Sequence, residues 1–173
     1  MEGIYENFPD LYHGTALFFS KTSPQNLQRI LICLFYRINR GEEILDVPML
    51  AGQGIRLMPE IGIADELVFN FIDEDEKTRF LESLKKKAFK TLDFIWIARY
   101  YINEKGKSKP LKFDYYMLRF IFRSEALELR VYHERGTRRL PIEDLMRLIG
   151  EKLSQKLREK GMQPLIIKSL RAF

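Results

Sequence analysis

At 173 residues, 46% of them hydrophobic and 31% charged, the chain is long enough to bury a real core and too apolar for a disordered one, so a single domain is expected over 1–173. One cysteine, Cys33, excludes an internal disulfide framework. With no long uncharged apolar run and no signal-peptide pattern in the start MEGIYENFPD, the expectation is a cytoplasmic protein with no membrane association. The formal charge of +5 is unevenly spread: residues 1–92 hold 11 Lys+Arg and 14 Asp+Glu (−3), residues 93–173 hold 18 and 10 (+8). Such a split suits an anion-facing half, or two copies meeting head to tail.

After a loose start, GTALFFS (14–20) predicts a short strand. Ser23 and Pro24 signal a helix start, serine as cap and proline in the first turn. Leu27, Ile30, Leu31, Leu34, Phe35 and Ile38 then line up one apolar stripe, and Gly41 sits where a left-handed cap would end it. Residues 42–63 contain Pro48, Gly52, Gly54, Pro59 and Gly62, which predicts a loop with a short strand near 55–58. ELVFNFI (66–72) alternates as a strand. Asp73 with Glu76 resembles a capping box that opens a helix to about residue 89, with Phe80, Leu81, Leu84 and Ala88 inward and KKKAFK at its basic end.

Three strands follow at 92–103, 111–123 and 126–134, joined by the polar loop 104–110 and a tight Ser124-Glu125 turn. Pro141 opens a third helix with Ile142, Leu145, Met146, Ile149, Leu153 and Leu157 inward and Gly161 at its end, and LIIKSL (165–170) adds a last strand. The predicted fold is α+β: an antiparallel sheet with a three-strand meander and about three helices, in the order β-α-β-β-α-β-β-β-α-β.

Alternation along the meander sorts its rings into two faces. A symmetric closure of the 104–110 loop sets Arg99 opposite Asp114. The second turn sets Phe122 opposite Leu127, Phe120 opposite Leu129 and Leu118 opposite Val131. One face then carries Ile95, Ile97, Tyr116, Leu118, Phe120, Phe122, Leu127, Leu129 and Val131, to be covered by helices. The other carries Phe94, Trp96, Ala98, Tyr100, Phe113, Tyr115, Met117, Arg119, Ile121, Glu128, Arg130, Tyr132 and Glu134. That second face holds too many charges for an ordinary core and too much ring area for an ordinary wet surface.

The expected function is therefore a non-catalytic binding or assembly module. Trp96, Tyr100, Phe113, Tyr115, Met117, Arg119, Arg130 and Tyr132 would engage a second copy or a protein partner. An alternative is RNA or single-stranded DNA, stacking on the same rings beside Lys105, Lys107, Lys109 and Lys112 of the hairpin and Arg135, Arg138 and Arg139 beyond it. FDYYMLRF lacks the glycine-spaced signature of single-strand RNA readers, and a lysine hairpin also serves to discourage edge pairing. A third alternative is a small-ligand or hydrolytic pocket near 50–66, resting on the glycines of AGQGIRL (51–57) and on Glu60, Asp65 and Glu66. AGQGIRL is neither GxGxxG nor a GK[ST] loop. DEDE (73–76) lacks the spaced oxygens and glycine of a calcium loop, and GTRRLP (136–141) reads as a helix start. His13 and His133 carry no motif, and Cys33 suits a packed apolar position. No catalytic residue, cofactor or metal is predicted from these patterns.

Overall fold

The computed structural model describes residues 5–173. Its elements run β1 (Gly14–Phe19), α1 (Pro24–Asn39), α2 (Pro48–Ala51), β2 (Ile55–Asp65), β3 (Val68–Phe71), α3 (Glu74–Lys86), β4 (Thr91–Glu104), β5 (Lys107–Pro110), β6 (Asp114–Arg123), β7 (Ala126–Arg135), α4 (Ile142–Glu159) and β8 (Ile166–Ala172). The α+β class and the antiparallel sheet are as expected, and the element order holds apart from two additions, α2 and β5. The sheet is larger than a three-strand meander. Eight strands run in the order β3-β2-β4-β6-β7-β1-β8, with β5 paired to the far end of β4.

Local chemistry accounts for the helix ends. Ser23 Oγ accepts from the Asn26 N–H at 3.2 Å to start α1. At the other end Gly41 adopts φ 72°, while Gly41 and Glu42 return their N–H groups to Ile38 and Arg37. Asp73 caps α3 through the Glu76 N–H at 2.8 Å. That helix stops at Lys86, short of residue 89, because buried Gln28 of α1 takes both backbone groups of Phe89. Its amide donates to the Phe89 carbonyl at 2.7 Å and accepts from the Phe89 N–H at 3.0 Å. A residue so held from the side has no backbone group left for a helix.

The 42–63 stretch is more ordered than its prolines and glycines suggest, since 55–65 form one continuous strand. Proline is tolerated there because β3 pairs only with residues 62–65 of β2. Pro59, opposite Ala98 of β4, therefore lies where no second strand pairs with β2, and its missing N–H is not needed.

A larger difference concerns which way β4 faces. Symmetric closure of the loop puts Arg99 opposite Asp114, but Ala98 holds that place, with Trp96 opposite Tyr116 and Phe94 opposite Leu118. The cause is local. Lys105 (φ 51°) and Gly106 (φ 75°) make a two-residue turn, and β5 pairs Glu104 with Lys107 and Tyr101 with Pro110 before the chain leaves the ladder. It rejoins at Asp114 one position out of the expected phase. Because the side-chain period is two, that single step exchanges the faces of β4. Phe94, Trp96, Ala98 and Tyr100 are fully buried, and Ile95, Ile97, Arg99 and Tyr101 point the other way. Phe35 of α1 sits edge-on to Phe94 and Trp96 at 4.9 and 6.0 Å. The β6–β7 register agrees with expectation at Phe122–Leu127, Phe120–Leu129 and Leu118–Val131, and shifts by one position only at Tyr115, which pairs with Arg135.

Candidate interaction surface

The helices cover one side of the sheet; the chain's own beginning crosses part of the other. Tyr5 donates its N–H to Asp93 Oδ2 at 2.5 Å. Arg119 grips the same carboxylate with Nε to Oδ1 at 2.7 Å and Nη2 to Oδ2 at 3.0 Å, and Nη2 also donates to the Tyr5 carbonyl at 2.9 Å. The guanidinium lies 4.6 Å from the centre of the Phe8 ring, while Tyr5 meets Phe69 of β3 at 4.7 Å. Tyr5, Phe8 and Met117 form a small apolar cluster of their own, separate from the main core. Burial raises the Asp93 pKa, and Arg119 with the Tyr5 N–H offsets part of that rise. Further along, His13 stacks on Tyr132 at 4.8 Å and Arg130 lies 5.0 Å over the Tyr12 ring.

This strap and the phase of β4 together reassign most of the residues read as partner anchors. Trp96 is sealed beneath α1 and Tyr100 beneath the 136–140 loop. Met117 lies under Tyr5 and Phe8. Arg119 is committed to Asp93 and the strap, Arg130 to Glu128 and Tyr12, and Tyr132 to His13. Among the described residues, only Phe113 and Tyr115 of these anchors remain partly exposed with no role in the strap.

Beside those two, the phase change in β4 brings out residues that simple alternation sends inward. Met58 of β2 stands opposite Arg99 and is 37% exposed. Ile97 stands opposite Tyr115. The Tyr101 and Phe113 rings approach edge-on at 6.0 Å. Ile97, Arg99, Tyr101, Phe113 and Tyr115 are all half-buried and take no part in the strap's hydrogen bonds or ring contacts. Arg99 is steadied by its Nε donating to the Met58 carbonyl at 2.9 Å, and Arg135 covers Tyr115 at 4.3 Å. The result is a band of rings and aliphatic groups edged by two arginines on the outer face of β2, β4 and β6.

The predicted nucleic-acid residues divide in two. Lys105, Lys107, Lys109 and Lys112 are exposed next to this band, Lys109 pairing with Glu104 at 3.1 Å. Arg138 is exposed, but Arg139 is drawn inward over the Tyr100 ring at 5.7 Å, and its buried Nε has no hydrogen-bond partner among the described residues.

A constellation that the sequence did not announce lies beneath the 136–140 loop. Asp114 is fully buried, accepting from the Arg138 and Arg139 N–H groups at 2.7 and 2.8 Å, from the Tyr100 hydroxyl at 2.6 Å, and facing His133 Nε2 at 2.8 Å. Tyr100 in turn accepts from the Leu140 N–H at 2.9 Å, and Tyr116 donates to the Leu140 carbonyl. Burial alone would raise the Asp114 pKa, but Tyr100, His133 and the two backbone N–H groups outweigh it and hold it below the usual carboxylate value. Burial, then the adjacent carboxylate, pushes the phenols of Tyr100 and Tyr116 upward. Gly136 makes the approach feasible: it adopts φ 114°, and a Cβ there would overlap Asp114 Oδ1 and the Phe113 carbonyl. Every acceptor site of the carboxylate faces a donor of the chain itself, so the group acts as a clasp. The sequence signal was an aspartate at the start of an aromatic-rich strand, with GTRR following the next strand.

Near 50–66 a shallow groove of about 240 Å³ is lined by Leu45, Val47, Leu50, Ala51, Gly54, Ile55, Arg56 and Leu57. Glu60, Asp65 and Glu66 do not line it. Gly54 (φ 71°) turns the chain from α2 into β2. Among the described residues no cluster of His, Cys, Asp and Glu is placed to hold a metal, and no helix is long and apolar enough to cross a membrane. Cys33 is half-buried on α1, where burial raises its pKa. Compared with known proteins, the chain matches no family model, no curated protein and no solved structure.

Proposed function

We propose that this chain is a non-catalytic binding or assembly module whose outer sheet face docks a second copy or a protein partner. One observation carries the reading: rings and aliphatic groups are left half-exposed on a rigid β-sheet, edged by Arg99 and Arg135, where the strap does not reach. Aromatic, methionine and arginine side chains are the types that anchor protein interfaces. A sheet presents them with little ordering left to lose on binding. Tyr101, Tyr115 and Met58 are the anchors of this reading, and Ile97 and Phe113 their apolar surround. Replacing Tyr101 and Tyr115 together with serine leaves the main core intact. The double variant is expected to keep its circular dichroism while losing, at high salt, the solution mass or the protein partner of the wild type. An unchanged mass and unchanged partner recovery would defeat the reading.

A second reading is favoured by the four exposed lysines that border Tyr101 and Phe113: single-stranded nucleic acid, phosphates on the hairpin and bases on the rings. Its test is affinity for a labelled oligonucleotide against salt concentration. Changing Lys105, Lys107 and Lys109 to glutamine should lower the log–log slope by about 0.7 for each phosphate no longer neutralised. No binding at low salt removes this reading.

A further inference from the structure

Both ends of the sheet are unpaired among the described residues, and they are chemically opposite. One end is β3, four residues long, where Leu67, Val68 and Phe71 are 62%, 59% and 46% exposed. It is bracketed by Asp65 and Glu66 before it and by Asp73, Glu74, Asp75 and Glu76 after it, with no lysine or arginine between 65 and 76. The other end is β8, where Ile166, Ile167 and Phe173 are 51%, 45% and 67% exposed. Residues 163–173 carry Lys168 and Arg171 and no acid. The uneven charge of the chain is thus concentrated, in part, at opposite edges of one sheet.

We infer that these edges recognise each other, β8 of one copy adding to β3 of the next. Strand edges template pairing through their free backbone groups, and single-sign charge on an edge normally forbids it. Joining β8 to β8 would bring two sets of Lys168 and Arg171 together, and joining β3 to β3 would bring two sets of acids together. Only the head-to-tail union sets lysine and arginine beside carboxylates while covering Val68 and Phe71 with Ile166 and Ile167. The direction of pairing also follows. Six successive antiparallel neighbours separate β3 from β8, so both strands point the same way within one copy. Copies that keep their helices on the same side therefore meet in parallel. Such a contact is heterologous: it leaves a free edge at each end and grows into a chain of copies unless sheet twist closes a ring. With only four residues in β3 the contact is weak, and assembly depends on concentration and on salt.

This contact uses strand edges, not the outer face, and holds whether or not that face docks anything. The test is solution mass of the full chain by light scattering or sedimentation over a wide concentration range. At low salt the weight-average mass is expected to rise past twice the 20.6 kDa of one chain, and to fall back at high salt. In the Tyr101→Ser/Tyr115→Ser background, Lys168→Glu blocks β8 and Val68→Lys blocks β3, so each variant alone stays monomeric. Mixed, they form a pair that stops at two copies, because one intact β8 meets one intact β3. The Tyr101→Ser/Tyr115→Ser variant keeps the salt-dependent rise in mass even where it loses any salt-resistant mass of the wild type, which separates this contact from the outer face. A wild-type chain that is monomeric at every concentration overturns the inference. So does a Val68→Lys chain that self-associates alone in that background, which would mean like edges joining, or a mixture that forms no pair while both variants retain wild-type circular dichroism.

Discussion

Replacing Asp114 with alanine removes one side chain and strands four polar groups. The Arg138 and Arg139 N–H groups and the Tyr100 hydroxyl lose their acceptor, and His133 Nε2 loses its partner. A buried donor left unsatisfied costs about 1–3 kcal/mol, and some relaxation toward water beneath a surface loop softens the sum, so a net loss of about 4 kcal/mol is expected. That is a large share of the roughly 5–15 kcal/mol that holds a domain together. With a urea m-value of about 2 kcal/mol/M, the midpoint should fall by about 2 M at constant m. Urea titration followed through Trp96 fluorescence measures it directly. A loss under about 1 kcal/mol would mean that the loop does not depend on the carboxylate. The pH dependence sharpens the test. The folded-state pKa of Asp114 is held below the ordinary aspartate value of 3.8, so its contribution is fully present above that value and vanishes as pH falls through the lower folded value. The advantage of the wild type over Asp114→Asn should therefore shrink on acidification below about pH 4, and an advantage that grew on acidification would contradict the assignment.

Trp96 is the single tryptophan and is fully buried, so native emission should be blue-shifted, resist acrylamide quenching and move red on unfolding; solvent-like native emission would return β4 to the opposite phase. Asp93→Ala leaves Arg119 without its bidentate partner and frees the Tyr5 N–H. Amide exchange in residues 5–12 should rise at least tenfold while that of β6 stays put, and unchanged protection would show that ring packing alone retains the strap. Gly136→Ala should cost at least about 3 kcal/mol because it combines a forbidden φ with overlap on Asp114. Gly106→Ala, with an open surrounding and φ 75°, should cost only about 1–2 kcal/mol. Equal losses would remove the clasp from the explanation.

The legible parts of this fold were those fixed by local chemistry. The Ser23 and Asp73 caps and the Ser124-Glu125 turn each satisfy their backbone groups within a few residues, so pattern alone located α1, α3 and the β6–β7 register. Alternation correctly grouped Leu118, Phe120 and Phe122 with Leu127, Leu129 and Val131, since two residues of turn leave no slack. It failed across 104–113, where a second small hairpin consumes part of the connection and shifts β4 by one position. Nothing in an aromatic-rich strand resists that shift: Phe94, Trp96 and Tyr100 fit a core as readily as Ile95, Ile97 and Tyr101 do. The strap was illegible for another reason. Its partners lie about ninety to a hundred and fifteen positions away, at Asp93 and Arg119, and a carboxylate and an arginine spaced along different strands look like surface charges until the register sets them side by side.

The same register decides what the outer face can be. Had β4 lain in the expected phase, Trp96 and Tyr100 would have joined Tyr115 and Met117 in a broad patch, with Arg119 and Arg130 free to meet a partner. In the observed phase, Asp93 comes opposite Arg119, the pair captures Tyr5, and the strap seals Met117. What is left uncovered is narrower and lies toward the β4–β5 hairpin, where Ile97 and Tyr101 stand beside Tyr115 in place of Trp96 and Tyr100. Docking there and retention of the strap are therefore consequences of one pairing. A partner that needed Met117 or Arg119 would first have to break two hydrogen bonds from Arg119 to a buried carboxylate, each worth about 1.5–3 kcal/mol. Binding confined to Tyr101 and Tyr115 faces no such barrier, and so it should proceed equally well when the strap is loosened by Asp93→Ala.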